Sequence, residues 1–127
     1  MVKIIALLKR RPGLSLDDFI NYYETRHAPL ALSHMTSAIR YFRRYLRPLR
    51  QPAGDPNKTQ WVEPPFDAIT ELWVEDQEAA ERTLTAMAQP DVAAQIAADE
   101  ERLFDRSKIQ VFLVDERESD CQQNVSH

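Results

Sequence analysis

The pattern of hydrophobic and polar positions predicts four strands and three helices. Apolar or alternating runs predict strands at residues 2–9, 38–49, 66–74 and 108–114. Helical periodicity predicts helices from Ser15 to about His27, over residues 77–88, and from Pro90 to about Phe104. The order is therefore βαβ followed by a second βαβ.

This order is typical of the ferredoxin-like split βαβ fold, an α+β architecture with a four-stranded antiparallel sheet and helices on one face. In the third strand, Thr70 and Leu72 fall on one side and suit packing under helices. Ile69 and Trp73 fall on the other side and would leave an exposed apolar patch. We expect a second copy to cover it, giving a homodimeric α+β barrel whose two sheets enclose one cavity per subunit.

The first helix carries the best functional candidate. Ser15 is the predicted N-cap, and Pro29 disfavours helical angles at Ala28, so the helix should end or kink near His27. An irregular turn should follow through residues 30–37. The imidazole is expected to point inward, because it lies at helical spacing with the apolar stripe of Leu16, Phe19, Ile20 and Tyr23.

Composition narrows the function classes. The 127 residues are enough for one domain, and a net charge of −4 argues against a nucleic-acid partner. Cys121 is the only cysteine, so neither a disulfide framework nor a cysteine zinc site is expected. The three histidines are not spaced as metal ligands, and two glycines are too few for a glycine-rich phosphate loop. No bound metal or cofactor is expected.

The chain ends and one long loop complete the predicted organisation. The apolar run at residues 4–8 is too short for a signal peptide or a membrane span, so a cytoplasmic protein with no membrane partner is expected. Residues 51–65 form a proline-rich loop that could act as a flap carrying Trp61. The domain should cover residues 1–115, and residues 116–127 should form a flexible polar tail.

Several segments together resemble the EthD family of dimeric α+β barrel proteins. They are VKIIALLKRRPGLSLDDF with YYETRHAPL, FDAITELWVED, and DEERLFDRS. The likeness covers about residues 1–115. It implies the fold and the dimer, whereas the wider relatives include cofactor-free monooxygenases, lactone isomerases and polyketide cyclases or dehydratases. It also implies a histidine near the cavity at the position of His27, where a related lactone isomerase uses one in proton transfer.

Three residues are predicted to be catalytic, each with a structural alternative. His27 would be a general acid or base, or else a core histidine satisfied by backbone groups. Glu71 would orient His27 or accept a substrate proton, or else pair with Lys9, Arg40 or Arg43 in the barrel. Tyr22 is the better placed of two adjacent tyrosines to reach a ligand, whereas Tyr23 should belong to the core.

Six further residues are expected to line the substrate site, and Asp99 is expected to be structural. The tyrosines of the second strand, flanked by arginines, could bind an aromatic anion, or the strand could be a solvated, salt-bridged edge. Asp67 shares the strand face of Glu71 and has the same alternative of pairing with a basic residue. The predicted substrate-binding residues are Tyr41, Arg43, Tyr45, Trp61, Asp67 and Trp73.

The expected function is a small enzyme without a bound cofactor that acts on a hydrophobic oxygenated molecule such as an aromatic, lactone or polyketide-like compound. Proton transfer next to a carbonyl would serve isomerisation, dehydration or cyclisation, and with O₂ a monooxygenase reaction. The alternative is a non-catalytic protein that holds a hydrophobic ligand for a partner oxygenase. A third hypothesis, haem handling, would need His27 or His34 as the iron ligand.

Overall fold

The computed structural model describes residues 1–48 and 63–124. Its sheet contains β1 (Val2–Leu8), β2 (Arg40–Tyr45), β3 (Ala68–Val74) and β4 (Gln110–Leu113) in the order β2-β3-β1-β4. All three strand pairings are antiparallel, which confirms the predicted ferredoxin-like α+β fold. Residues 51–62 of the predicted flap, including Trp61, lie outside the described residues.

Four helices connect these strands: α1 (Leu16–Tyr22), α2 (Ala28–His34), α3 (Gln77–Met87) and α4 (Pro90–Glu100). The Ser15 hydroxyl accepts the Asp18 amide at 3.1 Å and caps α1, as predicted. The Asp76 carboxylate accepts the Ala79 amide at 2.8 Å and caps α3 in the same way. Both caps are local contacts between residues three apart, which is why the sequence reveals them.

The predicted end of the first helix at His27 is wrong. A π-helical segment over Tyr23–His27 joins α1 to α2, so the chain stays helical as far as His34. In this wider turn the Ala28 amide donates to the Tyr23 carbonyl. Pro29 falls in the first turn of α2, directly after the wider π-helical turn. The irregular turn expected at residues 30–37 is therefore confined to the positions after α2.

The core lies between the helices and one face of the sheet. Phe19, Tyr23, Leu103 and Phe104 are almost fully buried there, and Ala68 supplies a small strand residue beneath them. The ring of Phe19 packs edge-on at 6.1 Å from Tyr23 and 5.9 Å from Phe104, measured between centroids. Such geometry adds about 0.5–1.5 kcal/mol per pair beyond area burial. This cluster holds the π-helical segment against the sheet.

Among residues 1–48 and 63–124, no helix lies on the opposite face of the sheet. Side chains alternate along β3, so Ile69, Glu71 and Trp73 lie on this open face, while Thr70 and Leu72 face the helices, as predicted. On the edge strand β2 the same alternation places Arg40, Phe42 and Arg44 on the open face. In the described parts of the chain, no helix has the length and apolar character needed to cross a membrane.

Candidate active site

The His27 imidazole is buried at the end of the π-helical segment, with 5% of the residue exposed. The ring packs edge-on against Tyr23 at 5.4 Å and against Phe104 at 5.2 Å between ring centroids. The wide turn thus places Tyr23 and His27 next to each other on the core face. The predicted inward orientation of His27 is observed, although the helix does not end there.

Asp99 on α4 joins His27 to Tyr22. His27 Nδ1 lies 2.7 Å from Asp99 Oδ2, and the Tyr22 hydroxyl donates to Asp99 Oδ1 at 2.6 Å. An ionised carboxylate can only accept, so the imidazole proton resides on Nδ1 and is donated to Asp99. In the neutral form of the ring, Nε2 is then the nitrogen with a free lone pair. The hydrogen bond to Asp99 is also the main reason why the pKa of Tyr22 is raised, and burial adds to it.

A cavity of about 210 Å³ borders His27 between the helices and the sheet. Its lining residues come from one chain and lie on the helix side of the sheet. The expectation that two sheets of a dimer enclose a cavity concerns the opposite face of the sheet and stays a prediction. Most lining side chains are apolar, among them Ile4, Leu72, Met87, Ile96 and Phe104.

Three hydroxyl groups form a cluster on the wall of this cavity. The Tyr23 hydroxyl lies 2.5 Å from Thr70 Oγ1 and 3.3 Å from the Tyr41 hydroxyl. Burial raises the pKa of both Tyr23 and Tyr41, so both phenols keep their protons at neutral pH. Tyr41 was predicted to bind substrate and borders the cavity, while Tyr23 belongs both to the core and to the cavity wall.

Glu100 adds a carboxyl group to the same cavity. Burial raises its pKa, an effect opposed by the nearby His27 and by Arg106, whose Nε lies 3.6 Å from the carboxylate. Asp99 and Glu100 are adjacent on α4, and one binds His27 while the other lines the cavity. The cavity therefore contains an imidazole, a carboxyl group and a hydroxyl cluster within apolar walls.

Glu71 and Trp73 lie on the open face of the sheet, away from His27. Trp73 Nε1 donates to Glu71 Oε2 at 2.6 Å, and Arg44 lies 3.5 Å from the same oxygen. The prediction that His27 and Glu71 share a cavity is wrong, because odd-numbered residues of β3 point away from the helices. Asp99, rather than Glu71, is the carboxylate that contacts His27. The basic partner of Glu71 is Arg44, rather than the expected Lys9, Arg40 or Arg43.

Arg43 and Tyr45 face the helices but bind a residue of the π-helical segment. Arg43 forms a bidentate pair with Glu24 at 2.7 and 3.0 Å, and the Tyr45 hydroxyl donates to Glu24 at 2.5 Å. Neither side chain lines the cavity. The salt-bridged alternative for this part of β2 is thus the one observed. The hydrogen bonds from Arg43 are the main reason why the pKa of Glu24 is lowered.

Asp67 lies at the start of β3 and is paired with basic residues. Its carboxylate accepts the Arg10 amide at 2.9 Å and lies 3.3 Å from the ammonium of buried Lys9. The predicted alternative, pairing with Lys9, is therefore what the structure contains. Among residues 1–48 and 63–124, no three His, Cys, Asp or Glu side chains cluster as metal ligands would.

Sequence reasoning missed Asp99 and Glu100 as site residues and assigned Thr70 to helix packing alone. One feature of the sequence could have revealed Asp99 and Glu100, namely their spacing from Ile96 along α4. Ile96 is buried, and residues three and four positions after a buried helical residue lie on its face. This spacing predicts that Asp99 and Glu100 point toward the core. Because residues 99–101 are all acidic, the sequence was instead interpreted as a solvated helix face.

Comparison with known structures supports the same fold. An EthD family protein from Bacillus halodurans C-125 is 21% identical, with a TM-score of 0.57 over 92% of this chain and 99% of its own. An EthD-like protein from Ralstonia eutropha JMP134 is 22% identical, with a TM-score of 0.55 over 89% of this chain and 86% of its own. SnoaB, a cofactor-independent oxygenase from Streptomyces nogalater, is 16% identical, with a TM-score of 0.51 over 93% of this chain and 94% of its own.

At these identities the structural likeness establishes the fold alone. None of the curated protein sequences is significantly similar to this chain. The EthD domain family model, in contrast, matches residues 11–107, a span that includes His27, Thr70, Asp99 and Glu100. The chain therefore belongs to the EthD family.

Proposed function

We propose that this protein is a cofactor-independent enzyme that moves a proton on a hydrophobic oxygenated small molecule in the His27 cavity. The observation that carries the proposal is the 2.7 Å contact between His27 Nδ1 and Asp99 beside a largely apolar cavity. A buried carboxylate that accepts the Nδ1 proton fixes the tautomer in which Nε2 is basic. It also stabilises the imidazolium that forms when Nε2 takes a proton.

Proton transfer next to a carbonyl would proceed in two steps. Nε2 of His27 removes a proton from the carbon beside the carbonyl, and the electron pair of the C–H bond moves to the carbonyl oxygen as an enolate. Return of the same proton to a different carbon completes an isomerisation. Collapse of the enolate with loss of a β-hydroxyl group, which takes the proton from the imidazolium and leaves as water, completes a dehydration. Attack of the enolate on a second carbonyl, whose oxygen then takes the proton from the imidazolium, completes a cyclisation.

A monooxygenase reaction is the second form of the same chemistry. The observation that favours it is the structural likeness to SnoaB, a cofactor-independent oxygenase. Deprotonation of an electron-rich phenol by His27 would give a phenolate able to pass one electron to O₂. Recombination of the phenoxyl and superoxide radicals forms a C–O bond to a peroxide, which takes the proton from the imidazolium. Loss of the hydrogen on that carbon with cleavage of the O–O bond then leaves a quinone carbonyl and releases the second oxygen as water. No flavin or metal is needed for the electron transfer in this scheme.

We further propose that two copies pair through the open face of the sheet. Ile5 of β1 and Ile69 of β3 are only half buried there, and the Trp73 ring lies beside Phe42 at 5.7 Å between centroids. Lys3 and Arg40 lie against the Trp73 ring at 4.1 and 5.3 Å from its centroid. An apolar centre with cations around it is typical of a two-fold interface.

The test of function separates an enzyme from a ligand carrier. A panel of phenols, lactones and cyclic ketones would be incubated with wild-type protein and with His27→Ala, and both binding and conversion measured. The proposal predicts that a compound bound by both proteins is converted only by the wild type. Binding by both proteins without conversion by either would instead favour a non-catalytic accessory protein for a partner oxygenase.

A further inference from the structure

We propose that the cavity selects a single-ring compound whose oxygen substituent accepts a hydrogen bond from the hydroxyl cluster of Tyr23, Tyr41 and Thr70. This inference rests on the proposed function, because it names the substrate class of the same cavity. It adds a specificity determinant, the hydroxyl cluster, on the cavity wall beside His27.

The size of the cavity limits the ligand to one ring. A dry cavity of about 150 Å³ accommodates benzene, and pockets for drug-sized ligands begin at about 300 Å³. The cavity beside His27 has a volume of about 210 Å³, which suits one six-membered ring with a few substituent atoms. Fused polycyclic compounds would need more space than the apolar walls provide.

The hydroxyl cluster has one proton to offer. Three hydroxyl groups carry three protons, and the two hydrogen bonds within the cluster use two of them. No other hydrogen bond from these three hydroxyls is found among the described residues, so one proton is left for an acceptor in the cavity. Because a phenol is a better donor than an aliphatic hydroxyl, Tyr41 donates to Tyr23 and Tyr23 donates to Thr70, and the remaining proton is the one on Thr70 Oγ1. A ligand oxygen meets this need, whereas a hydrocarbon leaves the donor unsatisfied. The raised pKa of Tyr23 and Tyr41 keeps the cluster in its donor form.

The positions of the polar groups suggest how the ring would lie. The Tyr23 ring packs against His27 and carries its hydroxyl into the cluster, so one tyrosine connects the oxygen site to the base. Donation to the ligand oxygen would stabilise the negative charge that forms there when His27 removes a proton. Leu84 and Val111 border the cavity but are 54% and 58% exposed, so the ring would enter between α3 and β4.

The test compares two ligands of similar size that differ in one hydroxyl group. Dissociation constants for phenol and toluene are measured by titration calorimetry with the wild type, Thr70→Val and Thr83→Val. Thr83 is the matched control, because it also lines the cavity but its hydroxyl already donates to the Ala79 carbonyl at 2.9 Å. We expect the preference for phenol over toluene to fall about 3- to 10-fold in Thr70→Val and to stay unchanged in Thr83→Val.

Several outcomes would overturn the inference. They are an unchanged preference in Thr70→Val, an equal loss in Thr83→Val, and failure of the wild type to bind either ligand. Displacement of bound toluene by 1-naphthol as effectively as by phenol would overturn the size limit. If Thr70→Val does not fold, Thr70→Ala removes the same hydroxyl group and tests the same expectation.

The result is separable from the test of function. The binding preference can be measured without turnover. If the preference for phenol falls in Thr70→Val and no compound is converted, the ligand class is supported and the proposal of an enzyme is contradicted. If conversion depends on His27 but the preference for phenol over toluene is unchanged in Thr70→Val, the enzyme is supported. The role of the hydroxyl cluster as its specificity determinant is then contradicted.

Discussion

His27 and Asp99 are 72 positions apart in the chain, and His27 Nδ1 lies 2.7 Å from Asp99 Oδ2. The contact brings together the π-helical segment and the end of α4, which pack on the same face of the sheet. Tyr22 binds the second oxygen of the carboxylate at 2.6 Å, so Asp99 is held in place from both sides. In the proposed mechanism Asp99 and Tyr22 are positioning residues, and His27 alone transfers the proton.

Replacing Asp99 should impair turnover much more than binding. In Asp99→Asn the amide no longer enforces a proton on Nδ1 or stabilises the imidazolium, so we expect kcat to fall about 10²- to 10³-fold with KM little changed. Tyr22→Phe removes only one hydrogen bond to the carboxylate, and a loss of about tenfold or less is expected. Steady-state kinetics of a converted compound measures both. If KM rises in Asp99→Asn while kcat stays unchanged, the positioning role of Asp99 is contradicted.

The Glu24–Arg43 pair should make stability depend on pH in the acid range. Because the folded-state pKa of Glu24 is lowered, its contribution is complete above the unfolded pKa, near 4.3, and is lost as pH falls through the folded value. The Glu24 side chain is 38% exposed, so solvent screening keeps the effect small. We expect Glu24→Gln to lower the free energy of unfolding at pH 7 and to have less effect at pH 3. Urea titrations at both values test this, and an equal loss at both would contradict it.

Glu100 should make stability depend on pH in the opposite direction to Glu24. Burial raises its folded-state pKa, so its favourable contribution is complete below the unfolded pKa and is lost as pH rises through the folded value. Relative to Glu100→Gln, the wild type should therefore lose stability as pH rises above the unfolded pKa, near 4.3. Thermal unfolding of both proteins across this range measures the difference. A difference that is constant with pH would contradict the raised pKa.

The proposed dimer depends on the open face of the sheet. Ile69→Lys places a charge at the centre of that face and should convert a wild-type dimer to monomers, as measured by sedimentation equilibrium. Leu32→Lys is the matched control, because Leu32 is 52% exposed on α2, away from the open face. A wild-type monomer, or a dimer that survives Ile69→Lys, would contradict this interface.

The sequence was sufficient for the fold because its signals are local. Strand alternation correctly separated Thr70 from Glu71, and Ser15 is an N-cap as predicted. The π-helical segment could not be predicted, because Pro29 locally favours a helix end and the contacts that hold the segment, such as the packing of Tyr23 and His27 against Phe104, are tertiary. The His27–Asp99 contact depends on that segment and on the docking of α4, so it too required the tertiary structure.

The most direct test of the account is solvent-deuterium incorporation into a bound cyclic ketone or lactone, followed by proton NMR in D₂O. The control is His34→Gln, because His34 binds Gln95 at 3.1 Å and does not line the cavity. The account predicts exchange at the carbon next to the carbonyl with the wild type and His34→Gln, and a loss of about 10²- to 10⁴-fold in His27→Gln. Exchange that persists unchanged in His27→Gln would contradict the central claim.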